Sequence, residues 1–293
     1  MRTLIHNYAS PITTEPMYLA KSLEIVGTPV SLWNSQTVSA FDMFDSFQPD
    51  IFIGHFRYLT NDVIKYMTST NRKISMVLNI TGATEQDIQT LETIQQEQKL
   101  DIPFVFVNVP DAIPHPKSLK IKTVNLLPAA DIFIPKQNVV NFNIDCAVVG
   151  TSMGEAVEDA IKNKKTYHLL NMSEQQNEAF DAQITLQDLI NISSNYEEII
   201  LAGGVDLILS QATFDAALHA KKLSLKTDKE SQHIVDKFLA SLFHDEGKNE
   251  ELGNLIKGQV KRKHTCISRA ARLCKFLKND AAKIQLEKMR DEL

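Results

Sequence analysis

The stretch from Tyr196 to Lys226, YEEIILAGGVDLILSQATFDAALHAKKLSLK, carries residue types that can grip an anion. An apolar run (Ile199, Ile200, Leu201) meets a Gly203-Gly204 pair. A helical pattern carrying Asp215 follows, closed by a second apolar run at Leu223–Leu225. In a strand, glycine turn and helix taken together, free backbone N–H groups and the positive end of the helix dipole face whatever sits over the turn. A carboxylate one to two turns into the helix is placed to accept hydrogen bonds from ribose hydroxyls. Gly203, Gly204 and Asp215 are therefore candidates for holding a nucleoside diphosphate. The same pattern also describes an ordinary strand–turn–helix of an α/β sheet. A weaker signal of this kind lies in IDCAVVGTSMGEAVEDAI, where Gly150 follows an apolar run, Thr151 and Ser152 offer hydroxyls, and Gly154 opens a helix. GTSMG is neither a GxGxxG nor a Walker sequence, and a plain turn is its alternative.

Acid–base chemistry needs a group within hydrogen-bond reach whose pKa can lie near working pH, such as a histidine or a partly buried carboxylate. The candidates for a catalytic role are His6, which with Asn7 follows the first apolar run, His55 after Phe52-Ile53-Gly54, and Glu15 in a neighbouring loop. Glu85 stands near another such loop, and Arg57 is a candidate acceptor or phosphate contact. A lone histidine after a strand is also commonly a structural residue. No His/Cys cluster has zinc spacing, so no metal site is expected.

The elements that position these residues follow from periodicity. Short runs rich in Val, Ile, Leu and Phe predict strands at Thr3–Asn7, Pro29–Trp33, Asp50–Gly54, Ile74–Ile80 and Pro103–Asn108. Helices fit between them at Met17–Val26, Asn61–Thr68 and Thr84–Gln98, the last opening on a near capping box of Thr84 and Asp87. Near-continuous apolar strands alternating with helices argue for a parallel sheet covered on both faces. The segment Asn108–Leu127, with Pro110, Pro114 and Pro116, breaks the rhythm and marks a domain boundary, with Ala130–Pro135 closing the first domain. Alternation restarts with strands at Ile144–Val149 and Thr166–Leu170 and helices at Gly154–Asn163 and Leu186–Ile192. It ends in helices at Lys229–Phe243, Glu250–Lys263 and Thr265–Leu277. The expected fold is α/β: two Rossmann-like, doubly wound domains, 1–135 and 136–277, facing across a cleft, with 278–293 as a charged helical tail.

Composition bounds the function. The 293 residues suffice for two α/β domains, and 43% hydrophobic with 23% charged content is that of a globular protein with a sizeable core. No apolar run approaches the roughly 18–20 residues that span a bilayer, so no membrane partner is expected. The N-terminal residues turn polar after three positions and lack a signal-peptide core. Three cysteines without a CxxC read as reduced thiols, and the expected location is cytoplasmic. A net charge of −5 disfavours nucleic-acid binding by the surface as a whole. Lys257–Lys278, with nine Lys, Arg or His and no acid, is an exception that reads either as a solvated basic helix or as a local anion site.

These motifs carry a resemblance. The xxGG turn precedes a helix with Phe214-Asp215-Ala216-Ala217. Near the end stand Lys263-His264-Thr265, Arg269-Ala270, Leu273 and Phe276-Leu277. Together they resemble the C-terminal half of GT-B glycosyltransferases, especially the CgeB-like (group 1) group. ASPITTEPMYLAKSLEIVG and FDSFQPDIFIGHF fit that family's first domain. The resemblance implies transfer of a sugar from a nucleoside diphosphate, UDP among the expected nucleotides, to an acceptor hydroxyl. It implies a donor diphosphate over Gly203–Gln211, Ser210 and Gln211 included, and the donor ribose on Asp215, where the family carries glutamate. It also implies a terminal helix that returns to the first domain, with Lys263 and Arg269 as further acceptor or phosphate contacts. No cofactor is implied beyond the nucleotide-sugar co-substrate, and no metal. A 5-hydroxymethyl pyrimidine in DNA, the acceptor of compact phage enzymes of this kind, is one acceptor the reading accommodates; the host cytoplasm would then be the location. The competing classes are a two-domain small-molecule sensor and a glycosyltransferase-like scaffold without catalysis.

Overall fold

The computed structural model of the chain describes residues 1–10, 13–108, 121–133, 144–162, 164, 166–243, 260 and 263–292. The chain divides into two compact units. The first comprises residues 1–8, 15–127 and 269–292, and the second comprises 9–14 and 128–268.

The first unit is built on β1 (Thr3–His6), β2 (Val30–Trp33), β3 (Ile51–His55), β4 (Ser75–Asn79), β5 (Asp101–Val107) and β6 (Thr123–Asn125). All pair in parallel, in the order β2-β1-β3-β4-β5-β6. Its helices are α1 (Glu15–Ile25), α2 (Ala40–Phe47), α3 (Asn61–Ser69) and α4 (Glu85–Gln98), with a 3-10 turn at Phe56–Tyr58. Side-chain caps set three of the helix starts: Ser39, Thr60 and Thr84 each accept from a backbone N–H three residues on, and Thr84 and Asp87 form a full capping box. β1 is buried along its whole length and β4 along most of it, as expected for strands covered on both faces. Leu4, Phe44, Phe52, Met76, Leu78 and Val105 form the centre of one core.

The remaining elements of this unit come from the chain's end. Most of α10 (Cys266–Phe276) and all of α11 (Asp280–Asp291) belong to it. The first compact unit therefore does not end at 135, and the expected charged helical tail is a helix at Asp280–Asp291 that belongs to this unit. Asn279 N-caps α11, and Ala282 and Leu286, four residues apart on one face, are buried. Phe276 packs its ring 5.6 Å from that of Phe104.

The second unit holds β7 (Cys146–Gly150), β8 (Tyr167–Asn171), β9 (Ala182–Gln183), β10 (Glu198–Ala202) and β11 (Leu223–Lys226). They pair in parallel, in the order β11-β10-β7-β8-β9. The helices are α5 (Glu155–Ile161), α6 (Leu186–Ser193), α7 (Val205–Ile208), α8 (Gln211–His219) and α9 (Gln232–Phe243). Most of the helix expected over Glu250–Lys263 lies outside the described residues. The chain runs from β7 outward through β8 and β9, then returns to the other side of β7 for β10 and β11. The direction of winding therefore reverses between β7 and β10, and in the first unit between β1 and β3. In open parallel sheets, ligands bind outside the carboxyl ends of the two strands at such a reversal.

Candidate active site

At the reversal of the second unit, β7 ends in Gly150 and β10 in Ala202, and the loops that follow lie side by side. A Cβ built on Gly203 would be 3.8 Å from Thr151 Oγ1. One built on Gly150 would meet the Ala202 carbonyl and Val157 Cγ2 at 3.0 Å each, so only glycine lets these strand ends approach so closely. Thr151 is half-buried, and Ser152, Met153, Gly154 and Gly204 are exposed. Nothing lies within 4 Å of a Cβ built on Gly154 or Gly204. The N–H groups of Thr151, Ser152, Met153, Gly154 and Gly204 make no hydrogen bond among the described residues. Gly154 and Gly204 cap α5 and α7 without a side-chain hydrogen bond. The Gly203 N–H, in contrast, is taken by the Lys226 carbonyl at 3.0 Å. Five unused N–H donors around an open, glycine-lined surface can bind the oxygens of a phosphate.

Three residues assigned to the donor by sequence sit elsewhere. The helix with Asp215 does not follow the glycine pair directly. α7 makes one turn, and α8 begins only after Ser210, whose hydroxyl caps it by accepting from the Ala212 N–H. Asp215 is 0% exposed and Gln211 1%. The Asp215 carboxylate accepts from the Asp131 N–H at 2.8 Å and from the Gln211 side-chain amide at 3.1 Å. The same Gln211 amide binds the Thr14 hydroxyl at 2.9 Å, and its carbonyl oxygen accepts the Thr14 N–H at 2.7 Å. This is a closed polar network that fixes residues 13–14 and 131 within the second unit. Burial raises the Asp215 pKa well above the usual carboxylate range, and the charge of Asp131 adds to the shift against the opposing hydrogen bonds. Asp215 is thus corrected from a ribose ligand to a structural acid. Ser210 and Gln211 are a cap and a network member. The sequence held a signal for this: QATFDAAL carries a single charge among small and apolar residues, the pattern of a helix covered all round.

In the first unit, His6 and His55 end β1 and β3, on the two sides of its reversal. A Cβ on Gly54 would be 3.7 Å from His6 Cβ. His6 is buried, with Nε2 2.9 Å from Ser35 Oγ, and burial lowers its pKa. The pKa of half-buried His55 falls to about 4, through burial first and the Arg57 charge second. Its Nδ1 accepts the Arg57 N–H at 3.3 Å. Both rings are neutral near pH 7. His55 is then a weak proton acceptor, which counts against its service as a strong general base. Arg57 is exposed and donates through Nη2 to the Gly82 carbonyl at 3.0 Å.

Glu15 and Arg269 are consumed in each other. Their side chains are 1% and 2% exposed and form an ion pair inside the first unit. Glu15 Oε2 also accepts from Asn79 at 3.2 Å and Asn108 at 3.3 Å. Arg269 donates to the carbonyls of Leu126 and Leu127 and, at 2.8 Å, to Asn108 Oδ1. Burial opposes the Arg269 charge, and Glu15 together with Tyr18 and Tyr8 outweighs it, so the guanidinium pKa is raised. A carboxylate and a guanidinium buried in this way and bound to each other are not free to take a substrate proton or a phosphate, so neither assignment fits, although Arg269 Nε has no hydrogen-bond partner among the described residues. Sequence reasoning missed this pair because its members stand 254 residues apart. Lys263 is exposed in the second unit, while Lys257, Lys261 and Arg262 lie outside the described residues. Among the described residues no group of three His, Cys, Asp or Glu side chains is placed to hold a metal, and no helix is long and apolar enough to cross a membrane.

No protein-family model matches the sequence, and no curated protein matches it. Solved structures do match. Sucrose-phosphate synthase from Thermosynechococcus elongatus is 8% identical, with 96% of this chain and 100% of that one covered and a TM-score of 0.60. A glycosyltransferase from Rickettsia africae is 12% identical over 95% and 99% of the two chains, with a TM-score of 0.58. An alpha-glucosyltransferase in complex with UDP and a 13-mer DNA containing a HMU base is 12% identical over 96% and 99%, with a TM-score of 0.56. Two parallel sheets with flanking helices, aligned along nearly the full length of such structures, define an α/β protein with the GT-B glycosyltransferase fold.

Proposed function

We propose that the chain is a glycosyltransferase that moves a sugar from a nucleoside diphosphate, UDP in the first instance, to an acceptor hydroxyl. The observation that carries this reading is the group of unused N–H donors at Thr151–Gly154 and Gly204, on the winding reversal of the second unit. Charge develops on the diphosphate as the glycosidic bond breaks. Donors already fixed in place stabilise it without reorganising. Gly150, Thr151, Ser152, Gly203 and Gly204 hold the donor in this reading, and Lys263 is a second contact for its phosphates. Leaving-group stabilisation by backbone N–H groups needs no metal, so chelation by EDTA should leave the rate within about twofold. For the acceptor, the likeness to an alpha-glucosyltransferase bound to DNA supports a hydroxymethylated pyrimidine in DNA. The net charge of −5 speaks against a broad DNA footprint.

Calorimetric titration with UDP tests the donor site. Gly204 has φ −71° and ψ 174°, an extended backbone that valine adopts readily, and its Cβ position is open. Gly204→Val should therefore keep the melting temperature and lose about tenfold or more in UDP affinity. Unchanged affinity, or no UDP binding by the wild type, would reject the site. Incubation with UDP-glucose and a duplex containing hydroxymethyl pyrimidine, against an unmodified duplex, then tests the acceptor. Binding of UDP without transfer or hydrolysis would make the chain a sensor.

A further inference from the structure

We propose that the carboxyl ends of β1 and β3 form a subsite for a planar aromatic or heteroaromatic ring, which stacks on Tyr58 and hydrogen-bonds to His6 Nδ1. Three independent observations meet there. The place is the winding reversal of the first sheet, where open parallel sheets bind ligands. Tyr58, on the 3-10 turn after β3, is 53% exposed, yet it is held in position rather than loose. The His55 side chain caps that turn, and the His6 and His55 rings each stand 5.8 Å from the tyrosine ring. They are tilted to it by 41° and 59°, so neither imidazole is stacked on it and the phenol can offer a face to a further ring. Finally, His6 is 3% exposed, and its Nδ1 has no hydrogen-bond partner among the described residues. Such an atom buried without a partner is costly, and a ring bearing an N–H, a carbonyl or a hydroxyl would satisfy it.

Only the naming of this ring as the sugar acceptor rests on the glycosyltransferase reading; the subsite itself does not. On that reading the acceptor is aromatic or heteroaromatic, with its hydroxyl on or next to the ring, rather than a second sugar.

The test uses the chain's single tryptophan. Trp33 lies edge-to-face against His6 with ring centroids 4.9 Å apart, so a ligand on His6 alters its fluorescence. Thymidine and benzyl alcohol are the planar probes and methyl glucoside the non-planar one. The planar probes should change Trp33 emission saturably, and methyl glucoside should not. Tyr58→Ala, an exposed change, should weaken thymidine binding about tenfold, and Tyr58→Phe should restore it to within about twofold of wild type. UDP affinity, measured by calorimetry on the same variants, should stay within about twofold. No saturable response to either planar probe, equal affinity in Tyr58→Ala, or preference for methyl glucoside overturns the subsite. If UDP binds as above while these fail, the subsite falls alone. If the planar probes bind as expected and UDP does not, the subsite stands and the transferase reading falls.

Discussion

At the scale of single residues, the acids and bases divide into those with work to do at a surface and those locked into the fold. Asp215 belongs to the second group. Asp215→Ala would strand the Gln211 amide and the Asp131 N–H, at about 1–3 kcal/mol for each group left unsatisfied. The loss should appear in urea denaturation while UDP affinity stays near wild type, the reverse of what a ribose ligand would show. Glu15→Gln should be harsher, because it leaves the Arg269 charge buried without its counter-charge, at about 3–5 kcal/mol. Replacing both partners, as in Glu15→Leu with Arg269→Met, should cost less than either single change. The histidines add a pH dependence. A folded-state pKa below the unfolded value gives stability that is present at neutral pH and lost as the pH falls. For His55 the window runs from 6.5 down to about 4. Asp131 and Asp215, with raised pKa values, act with opposite sign over acidic pH and gain stability as the pH falls. The contribution of His55 is therefore the difference between wild type and His55→Gln. The variant should lose less stability between pH 7 and pH 4.5, as measured by thermal unfolding.

At the scale of elements, two glycines of one loop should behave differently. Gly150→Ala pushes a methyl group to 3.0 Å from the Ala202 carbonyl, a backbone atom that cannot step aside, so it should destabilise the second unit and weaken UDP binding together. Gly154→Ala has open space and an extended backbone of φ −169°, and its melting temperature should be unchanged. The regular strands were legible because burial on both faces writes them as apolar runs: nine were placed within about two residues at their ends. β6 and β9 were not, since three and two residues are too few to show a period, and β6 lies within the stretch read as a break. α2 was missed too: Phe41, Phe44 and Phe47 recur every three residues, but over only eight positions, and its start depends on the Ser39 cap. The glycine loops were legible as a candidate site because close approach demands glycine. The burial of Asp215 was written in the small and apolar residues around it in QATFDAAL but was not read, and that of Glu15 had no local signal, because its partner Arg269 stands 254 positions away.

At the scale of the whole molecule, the order of the chain and the order of the structure differ. The first unit takes its last elements, α10 from Arg269 and α11, from beyond the entire second unit, and residues 9–14 of the N-terminal region belong to the second. A fragment of residues 1–135 would leave Glu15 without its cation and expose core otherwise covered by Phe276. It should fail to give a cooperative melt, and a separately expressed peptide of residues 264–292 should restore one. The winding reversals, by contrast, are local to each sheet, which is why two doubly wound sheets could be expected from alternation alone, while the return of the terminal helix to the first unit was expected only through the family resemblance, and residues 280–291 and 9–14 were not placed by either route. This weave of the chain also sets a timetable. Synthesis adds about 5–20 residues per second, so Glu15 leaves the ribosome some ten to fifty seconds before Arg269 is made, 254 positions later. Through that interval the nascent first unit carries an unpaired acid and an uncovered apolar face. It stays in the class of partly folded species that chaperones recognise until α10 and α11 have left the ribosome. The rate at which these helices then close the unit should vary little with the length of the intervening chain, because closure entropy grows only as the logarithm of loop length.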